Sequence, residues 1–371
     1  MQHIHKTKIF LDWMGFTNQL YTIVANILYC IKEKKRILIL DDFQKEINSG
    51  LTISIREILN LDLMNLYFND KYNLIILDKN ITFKVISIEY GLKSKKINIT
   101  EELLKLSCIE NNKFTISKNI NLNNIKGDIL FGEKKKIFIT YSVNGIILND
   151  EYDELHSHLL EDVIYDFNIN KISFINGWGI NPDNEKYYRY ILKKFYYKNN
   201  FEKLVLKYMI NNFDITNDKI NVFHIRLEDD AIEYWSKLNN LSENDFKKKL
   251  EDKYIQLIEK YIDRSEKNII LSYSLDNNVI QYMLNNGYNV NFIPKNKELG
   301  REINALNDFL ISKFCNNIFI GNYNPNFLNE KCSTFSYYIS KTINANVKQL
   351  LLDIQFINTP ESIHYNIIYN I

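Results

Sequence analysis

From residue 222 onward, short apolar runs alternate with amphipathic stretches of helical period, and this alternation restricts the fold more than any other feature. Residues 222–225, 268–272, 289–293 and 317–321 read as strands. Ser242 with Asp245 resembles a capping box, and it opens a helix carrying Phe246, Leu250, Tyr254, Leu257, Ile258 and Tyr261 on one face. Further helices are predicted over residues 276–286, with Gly287 as the stop, over 302–314, and after Ser333. Strands and helices in strict alternation predict an α/β fold with a doubly wound parallel sheet.

The N-terminal part follows the same theme less regularly. An apolar segment at residues 8–13 reads as a strand, followed by Gly15 and by Thr17, an acceptable N-cap. Leu20, Ile23, Val24, Ile27, Leu28 and Ile31 then form one apolar stripe, and residues 37–40 make a short strand closed by Asp41 and Asp42. In such a βαβ unit the loop after the first strand lies at the carboxyl edge of the sheet, where ligands bind. Residues 51–170 hold strand-like stretches at 74–77, 83–88, 129–131 and 136–141 in no readable order, and 187–209 turn helical again. At ~100–200 residues per domain, the 371 residues predict two domains, 1–200 and 201–371, both Rossmann-like.

Composition narrows the function. With 46 basic and 45 acidic residues the formal charge is +1, so no global field holds nucleic acid or an anionic membrane. No apolar run approaches the ~18 residues that span a bilayer, and the first residues lack an apolar stretch of signal-peptide length. A cytoplasmic protein is expected. Cys30, Cys108, Cys315 and Cys332 show no C-x-x-C pair and read as free thiols. His156 and His158, with His364 far away in sequence, read as surface residues, and no metal site is expected.

Residues 221–230, NVFHIRLEDD, carry the first candidate site. Alternation along a strand sends His224 and Arg226 to one side and Ile225 to the other, so the two polar side chains can meet one ligand. Arg226 presents a planar cationic fork that suits phosphate oxygens and can neutralise a leaving nucleotide diphosphate without a metal. No Asp-X-Asp string occurs in the chain to hold one. The same Arg also fits a structural bridge to Glu228 or Asp229 at the strand end. Residues 333–336, STFS, follow a strand and open a helix, which suits a phosphate seat and an ordinary N-cap alike. At Gly15 the backbone can approach a ligand closely, and the Asn18 and Gln19 amides can bond sugar hydroxyls or phosphate, although a turn plus a cap accounts for that stretch equally. It is not a G-x-G-x-x-G motif, which disfavours an NAD site.

Taken together, GFTNQL, HIRLEDD, and NDFLISKFCNNIFIGN followed by STFS resemble the GDP-fucose-dependent fucosyltransferases, especially the protein O-fucosyltransferase group within the superfamily that includes the α-1,2 and α-1,6 enzymes. The resemblance implies a GT-B-like fold, two Rossmann-like doubly wound domains facing across a cleft, with residues 1–200 on the acceptor side and 201–371 binding the nucleotide sugar. It implies inverting, metal-independent transfer of fucose from GDP-fucose to a hydroxyl of a glycan or protein acceptor, with no cofactor. In that scheme Arg226 holds the β-phosphate with His224 beside it, and Asp308 accepts from the guanine base. Ser333 and Thr334 seat phosphate, Phe335 lines the base pocket, and Gly15 and Asn18 reach the donor from the facing domain. The catalytic set is Arg226, Glu228 and Asp229, with the general base open among Asp12, Glu228 and Asp229.

The chain departs from the family pattern in two places. Residues 323–332 intervene before Ser333 where the family keeps a short spacing, and Leu227 and Glu228 stand where bacterial relatives carry a second Arg. Without a signal sequence, unlike relatives that act on proteins, the chain reads as a cytoplasmic or virus-encoded enzyme. Another nucleotide sugar, or a catalytically silent sugar- or protein-binding relative, fits the same motifs.

Overall fold

The computed structural model describes residues 3–12, 14–106, 108–110, 113–117, 120–127, 132–153, 163–168, 172–173, 185–323, 333–344 and 346–352. The chain divides into two compact units, each discontinuous in sequence. One takes Met1–Ile9, Asn26–Asp42 and Leu61–Ile175, and the other Phe10–Ala25, Phe43–Asn60 and Asn176–Ile371. These units cross the single boundary at residue 200 that the sequence suggested. The physical reason is a set of long-range bonds: Glu302 N–H donates to the Lys45 carbonyl at 2.9 Å and Asn60 N–H to the Tyr196 carbonyl at 2.7 Å.

In the second unit a five-stranded parallel sheet runs in the order Asn289–Asn291, Lys267–Leu271, Ile220–His224, Ile318–Gly321, Lys348–Leu351. Winding starts at the middle strand and proceeds outward in both directions, which is the doubly wound pattern expected. Every residue of Ile220–His224 and of Ile318–Gly321 is buried, as strands covered on both faces require. Even the polar Asn221 is satisfied there. Its Nδ2 donates to Asn268 Oδ1 and Glu266 Oε2, both at 2.9 Å, and its Oδ1 accepts from Asn317 Nδ2 at 2.8 Å.

The helices follow their local signals. Ser242 Oγ accepts from Asp245 N–H at 3.1 Å, capping helix Glu243–Tyr261 as predicted, and its hydroxyl donates to Asp245 Oδ2 at 2.6 Å in place of the backbone bond of a full capping box. Phe246, Leu250, Tyr254 and Ile258 of that helix join one core with Phe223, Ile225, Trp235 and Ile270. Gly287, at φ 77°, stops helix Asn278–Asn285. Helix Asp229–Leu238 and the edge strand Lys348–Leu351 are among the elements the sequence did not announce.

In the first unit, strands Ile172–Ser173, Ile4–Thr7, Ile37–Leu40 and Ile75–Asp78 form a parallel sheet in that order. The opening strand is thus Ile4–Thr7 and not 8–13: Ile9 and Phe10 are buried yet lie outside any strand, so their apolarity records burial alone. Between Ile75–Asp78 and Ile172–Ser173 the chain builds two antiparallel sheets, so this unit is more than a doubly wound sheet. One orders Ile146–Asp153, Lys136–Val143, Phe83–Leu92 and Lys95–Asn98; the other Val163–Asn168, Lys113–Ser117 and Cys108–Glu110. A signal for the first lay in Asn144-Gly145, where φ is 48° and 82°, the twist of a two-residue hairpin turn. Cys30 and Cys315 are free and buried. The run 129–131, His156, His158, His364, Cys332 and the Cys108 side chain lie outside the described residues. No described helix is long and apolar enough to cross a membrane.

Candidate functional site

At the carboxyl edge of the five-stranded sheet, where the winding reverses between Ile220–His224 and Ile318–Gly321, lies a cavity of about 320 Å³. Open α/β sheets bind ligands at this point. All of its lining residues belong to the second unit.

Ile225 is fully buried in the core with Trp235, Phe246 and Tyr254, burial worth about 1.5–3 kcal/mol, and strand alternation then turns His224 and Arg226 the other way, into the cavity. The Tyr254 hydroxyl donates to the His224 carbonyl at 2.6 Å, where the strand ends. His224 Nδ1 lies 2.6 Å from Ser336 Oγ, and the Phe335 ring meets the imidazole edge-on at 5.0 Å. Burial, and then the charges of Arg226 and Lys295, lower the His224 pKa to about 3. The imidazole is therefore neutral at pH 7 and acts as a polar hydrogen-bonding group, not as a cation.

Arg226 bridges two carboxylates, Nη1 to Glu228 Oε2 at 3.0 Å and Nη2 to Asp230 Oδ2 at 2.7 Å. The structural bridge foreseen at this strand end is real, with Asp230 in place of Asp229. Helix Asp229–Leu238 starts here, and successive residues on a helix diverge by about 100°; Asp229 is exposed and off the cavity, whereas Asp230 lines it. Burial opposes the Asp230 charge, yet Arg226 and Arg301 hold its carboxyl below the usual range. Glu228 Oε1 accepts from Tyr273 N–H at 3.1 Å, fixing the second carboxylate. A guanidinium has five N–H donors, and these two bonds engage two of them.

The N-termini of helices Phe16–Lys32, Asp229–Leu238, Arg301–Ser312 and Thr334–Thr342 all border the cavity, and the second and the last differ in charge. Helix Asp229–Leu238 carries Asp229 and Asp230 in its first turn, and these answer its positive end. Helix Thr334–Thr342 carries no acid there. Ser333 is its N-cap, with Oγ accepting from Ser336 N–H at 3.3 Å, and Thr334 Oγ1 lies 3.2 Å from Thr17 Oγ1. The first-turn N–H groups of a helix have no partner within it, so an anion is better placed at the N-terminus of helix Thr334–Thr342 than at that of helix Asp229–Leu238.

Asp308 is buried on helix Arg301–Ser312, lines the cavity and is ion-paired with Lys295. Burial raises its pKa while Lys295 opposes the rise. One turn earlier on the same helix face, Asn304 holds the backbone beside Lys295: its Oδ1 accepts from Asn296 N–H at 2.9 Å and its Nδ2 donates to the Asn296 carbonyl at 2.7 Å.

Gly15 and Asn18 also line the cavity, from the same unit as His224 and not from a separate N-terminal domain. Helix Phe16–Lys32 is capped from far along the chain: buried Glu302 accepts from Phe16 N–H at 2.5 Å. Thr17, the expected N-cap, instead faces Thr334. A Cβ on Gly15 would stand 3.3 Å from Glu302 Oε2, so glycine makes room for this cap. Asn18 Oδ1 is buried with no hydrogen-bond partner among the described residues. Gln19 is spent on structure, with Oε1 accepting from Gln44 N–H at 2.8 Å. Asp12 is exposed and does not line the cavity.

Of the predicted residues, the cavity gathers Gly15, Asn18, His224, Arg226, Glu228, Asp308, Ser333, Thr334 and Phe335, and leaves out Asp229. Sequence reasoning missed Asp230, Lys295, Arg301 and Glu302 on the cavity and Ser336 behind His224. Asp230 had a signal, standing four residues after Arg226 where a helical start brings the two together. Lys295 had none.

No protein-family model matches the chain, and no curated protein matches it. Among solved structures the fold is similar to that of POFUT1 in complex with GDP, at 10% identity and a TM-score of 0.46 over 92% of this chain and 94% of that one. It is similar to fucosyltransferase NodZ from Bradyrhizobium, at 10% identity and 0.46 over 95% and 96%. NodZ alpha-1,6-fucosyltransferase soaked with GDP-fucose aligns at 11% identity and 0.49 over 98% and 99%. The likeness is one of fold.

Proposed function

We propose that the protein is an inverting glycosyltransferase that moves fucose from GDP-fucose to a hydroxyl of a glycan or protein acceptor without a metal ion. One observation carries this reading: a single cavity at the switch point of the doubly wound sheet gathers Arg226, His224, Asp308, Ser333 and Thr334, the residues of the fucosyltransferase-like motifs.

The diphosphate lies against the Arg226 fork and the N-terminus of helix Thr334–Thr342, both of which strengthen their hold as the bond to the sugar breaks and charge moves onto phosphate. Neutral His224 bonds the donor as a polar partner, Asp308 accepts from the guanine N–H groups, and Phe335 lines the base pocket. Asn18 Oδ1, without a partner among the described residues, accepts from a donor hydroxyl. Glu228 and Asp230 both line the cavity beside Arg226, and one of them takes the acceptor proton.

Calorimetric titration of GDP, UDP and ADP tests the donor: binding of UDP without GDP would sink the fucose reading. Incubation with GDP-fucose on a glycan array tests turnover, and GDP binding without product on any acceptor would mark a silent relative.

A further inference from the structure

Lys295 and Asp308 form a buried-edge ion pair on the cavity wall, Asp308 buried and Lys295 with 21% of its side chain exposed. The pair is built, not incidental. Asn304 and Asp308 lie four residues apart on one helix face, and Asn304 grips both backbone groups of Asn296, the residue next to Lys295. The helix that supplies the carboxylate thus also fixes the backbone that supplies the ammonium.

We infer that Lys295 and Asp308 act as one device that selects guanine over adenine, with Asp308 accepting from N1–H and N2–H and Lys295 donating to O6. This deepens the reading of the cavity as a GDP-sugar site and rests on it. The chemistry follows from the order of groups. Along its pairing edge guanine presents two donors and then an acceptor, N2–H, N1–H and O6. A carboxylate with an ammonium bonded to one oxygen presents two acceptors and then a donor. An ammonium that gives one N–H to Asp308 keeps two for a ligand. Adenine reverses the pattern at both shared positions: its N6 amino group would meet the ammonium and its N1 lone pair the carboxylate. A site built to hydrogen-bond one base rejects the other by leaving buried polar groups unpaired. The pair also explains how a carboxylate so buried stays available as an acceptor, since Lys295 opposes the effect of burial on it.

The test is titration of GDP, inosine diphosphate and ADP into the full chain and into Lys295→Met and Asp308→Asn, with melting curves confirming each fold. Inosine diphosphate keeps O6 and N1–H and lacks the N2 amino group. For the unaltered protein the expected order of affinity is GDP, inosine diphosphate, ADP. Lys295→Met is expected to weaken GDP and inosine diphosphate together, about tenfold or more, while ADP holds. The GDP-to-ADP ratio then falls and the GDP-to-inosine-diphosphate ratio stands. Asp308→Asn is expected to collapse the latter ratio. Should Lys295→Met fail to fold, Lys295→Gln keeps a donor toward Asp308 and offers a carbonyl to the adenine amino group, so ADP is expected to gain.

An unchanged GDP-to-ADP ratio in the Lys295 variant that folds overturns the pair. So does loss of only the GDP-to-inosine-diphosphate preference, which would mean Lys295 merely keeps Asp308 charged. In both cases GDP binding by the unaltered protein leaves the GDP-sugar reading intact. Failure of the unaltered protein to bind GDP removes that reading and the pair with it.

Discussion

The Ser336 hydroxyl oxygen lies 2.6 Å from His224 Nδ1, joining the central strand of the second unit's sheet to the helix that begins after Ser333. Gly321 makes the approach possible: a Cβ there would meet Ser336 Oγ at 2.9 Å and Phe319 Cζ at 2.9 Å. Gly321→Ala is therefore expected to push the helix from the sheet and cost about 1–3 kcal/mol, the usual penalty of overpacking. A chemical-denaturation curve coinciding with that of the unaltered protein would show that the helix yields freely.

His224 links stability to pH. Its pKa falls from 6.5 to about 3 on folding, so between those values the unfolded chain binds a proton that the folded chain refuses. Its contribution is complete above pH 6.5 and is lost as pH drops toward 3, with a slope of at most ~1.4 kcal/mol per pH unit. Burial lowers the His5 pKa as well, against the opposing bond to Asn26 and with Lys35 adding to the fall, so His5 contributes in the same direction. His224→Gln should lose less stability between pH 7.5 and pH 5 than the unaltered protein. Parallel melting-temperature curves for the two would rule out the assignment.

Arg226→Ala is expected to keep the fold and to lower turnover of GDP-fucose by about 100-fold or more, the effect of losing one charged contact made in the transition state. Arg226→Lys should recover little, because a point charge cannot span Glu228, Asp230 and phosphate as a planar fork does. Near-normal rates in the alanine variant, with GDP saturating, would remove Arg226 from the chemistry.

Ser333 has two separable roles. Removing its cap bond in Ser333→Ala should cost about 1 kcal/mol of stability, whereas Ser333→Asp retains a cap but sets a carboxylate at the proposed phosphate seat. Asp is thus expected to melt close to the unaltered protein and to bind GDP at least about tenfold more weakly, through like-charge repulsion. Equal GDP affinity for Ser333→Asp and the unaltered protein would place the phosphates elsewhere.

Gly15→Ala brings a Cβ to 3.3 Å from Glu302 Oε2, and buried Glu302 has little room to retreat while it caps Phe16. A loss of about 1 kcal/mol or more is expected, visible as a lowered melting temperature. Glu302 is held protonation-prone by burial, with Arg301 and the Phe16 N–H opposing. An unaltered melting temperature would mean that the cap adjusts.

The parts of the molecule legible in advance are those written in local spacing. Ile225 between His224 and Arg226 announced which side chains share a side, because strand geometry alternates regardless of context. Ser242 and Ser333 announced their helices, because a cap is made within three residues. The run of strands and helices after residue 220 announced the parallel sheet. Residues 51–170 showed strands at 83–88 and 136–141 but not their order, because antiparallel pairing joins segments far apart in the chain; the Asn144-Gly145 turn is the local sign of one such pairing.

What only the tertiary structure decided are the meetings of residues distant along the chain. Glu302 at Phe16, Lys295 beside Asp308, and Ser336 against His224 leave no mark on spacing, since each depends on where whole elements pack. The same reason assigns Gly15 and Asn18 to the unit of His224. Sequence by itself determined the strand end and its Arg, through periods that any L-polypeptide obeys. Burial and approach, which are properties of packed elements and not of neighbours in the chain, determined which carboxylates, amide and ammonium surround it.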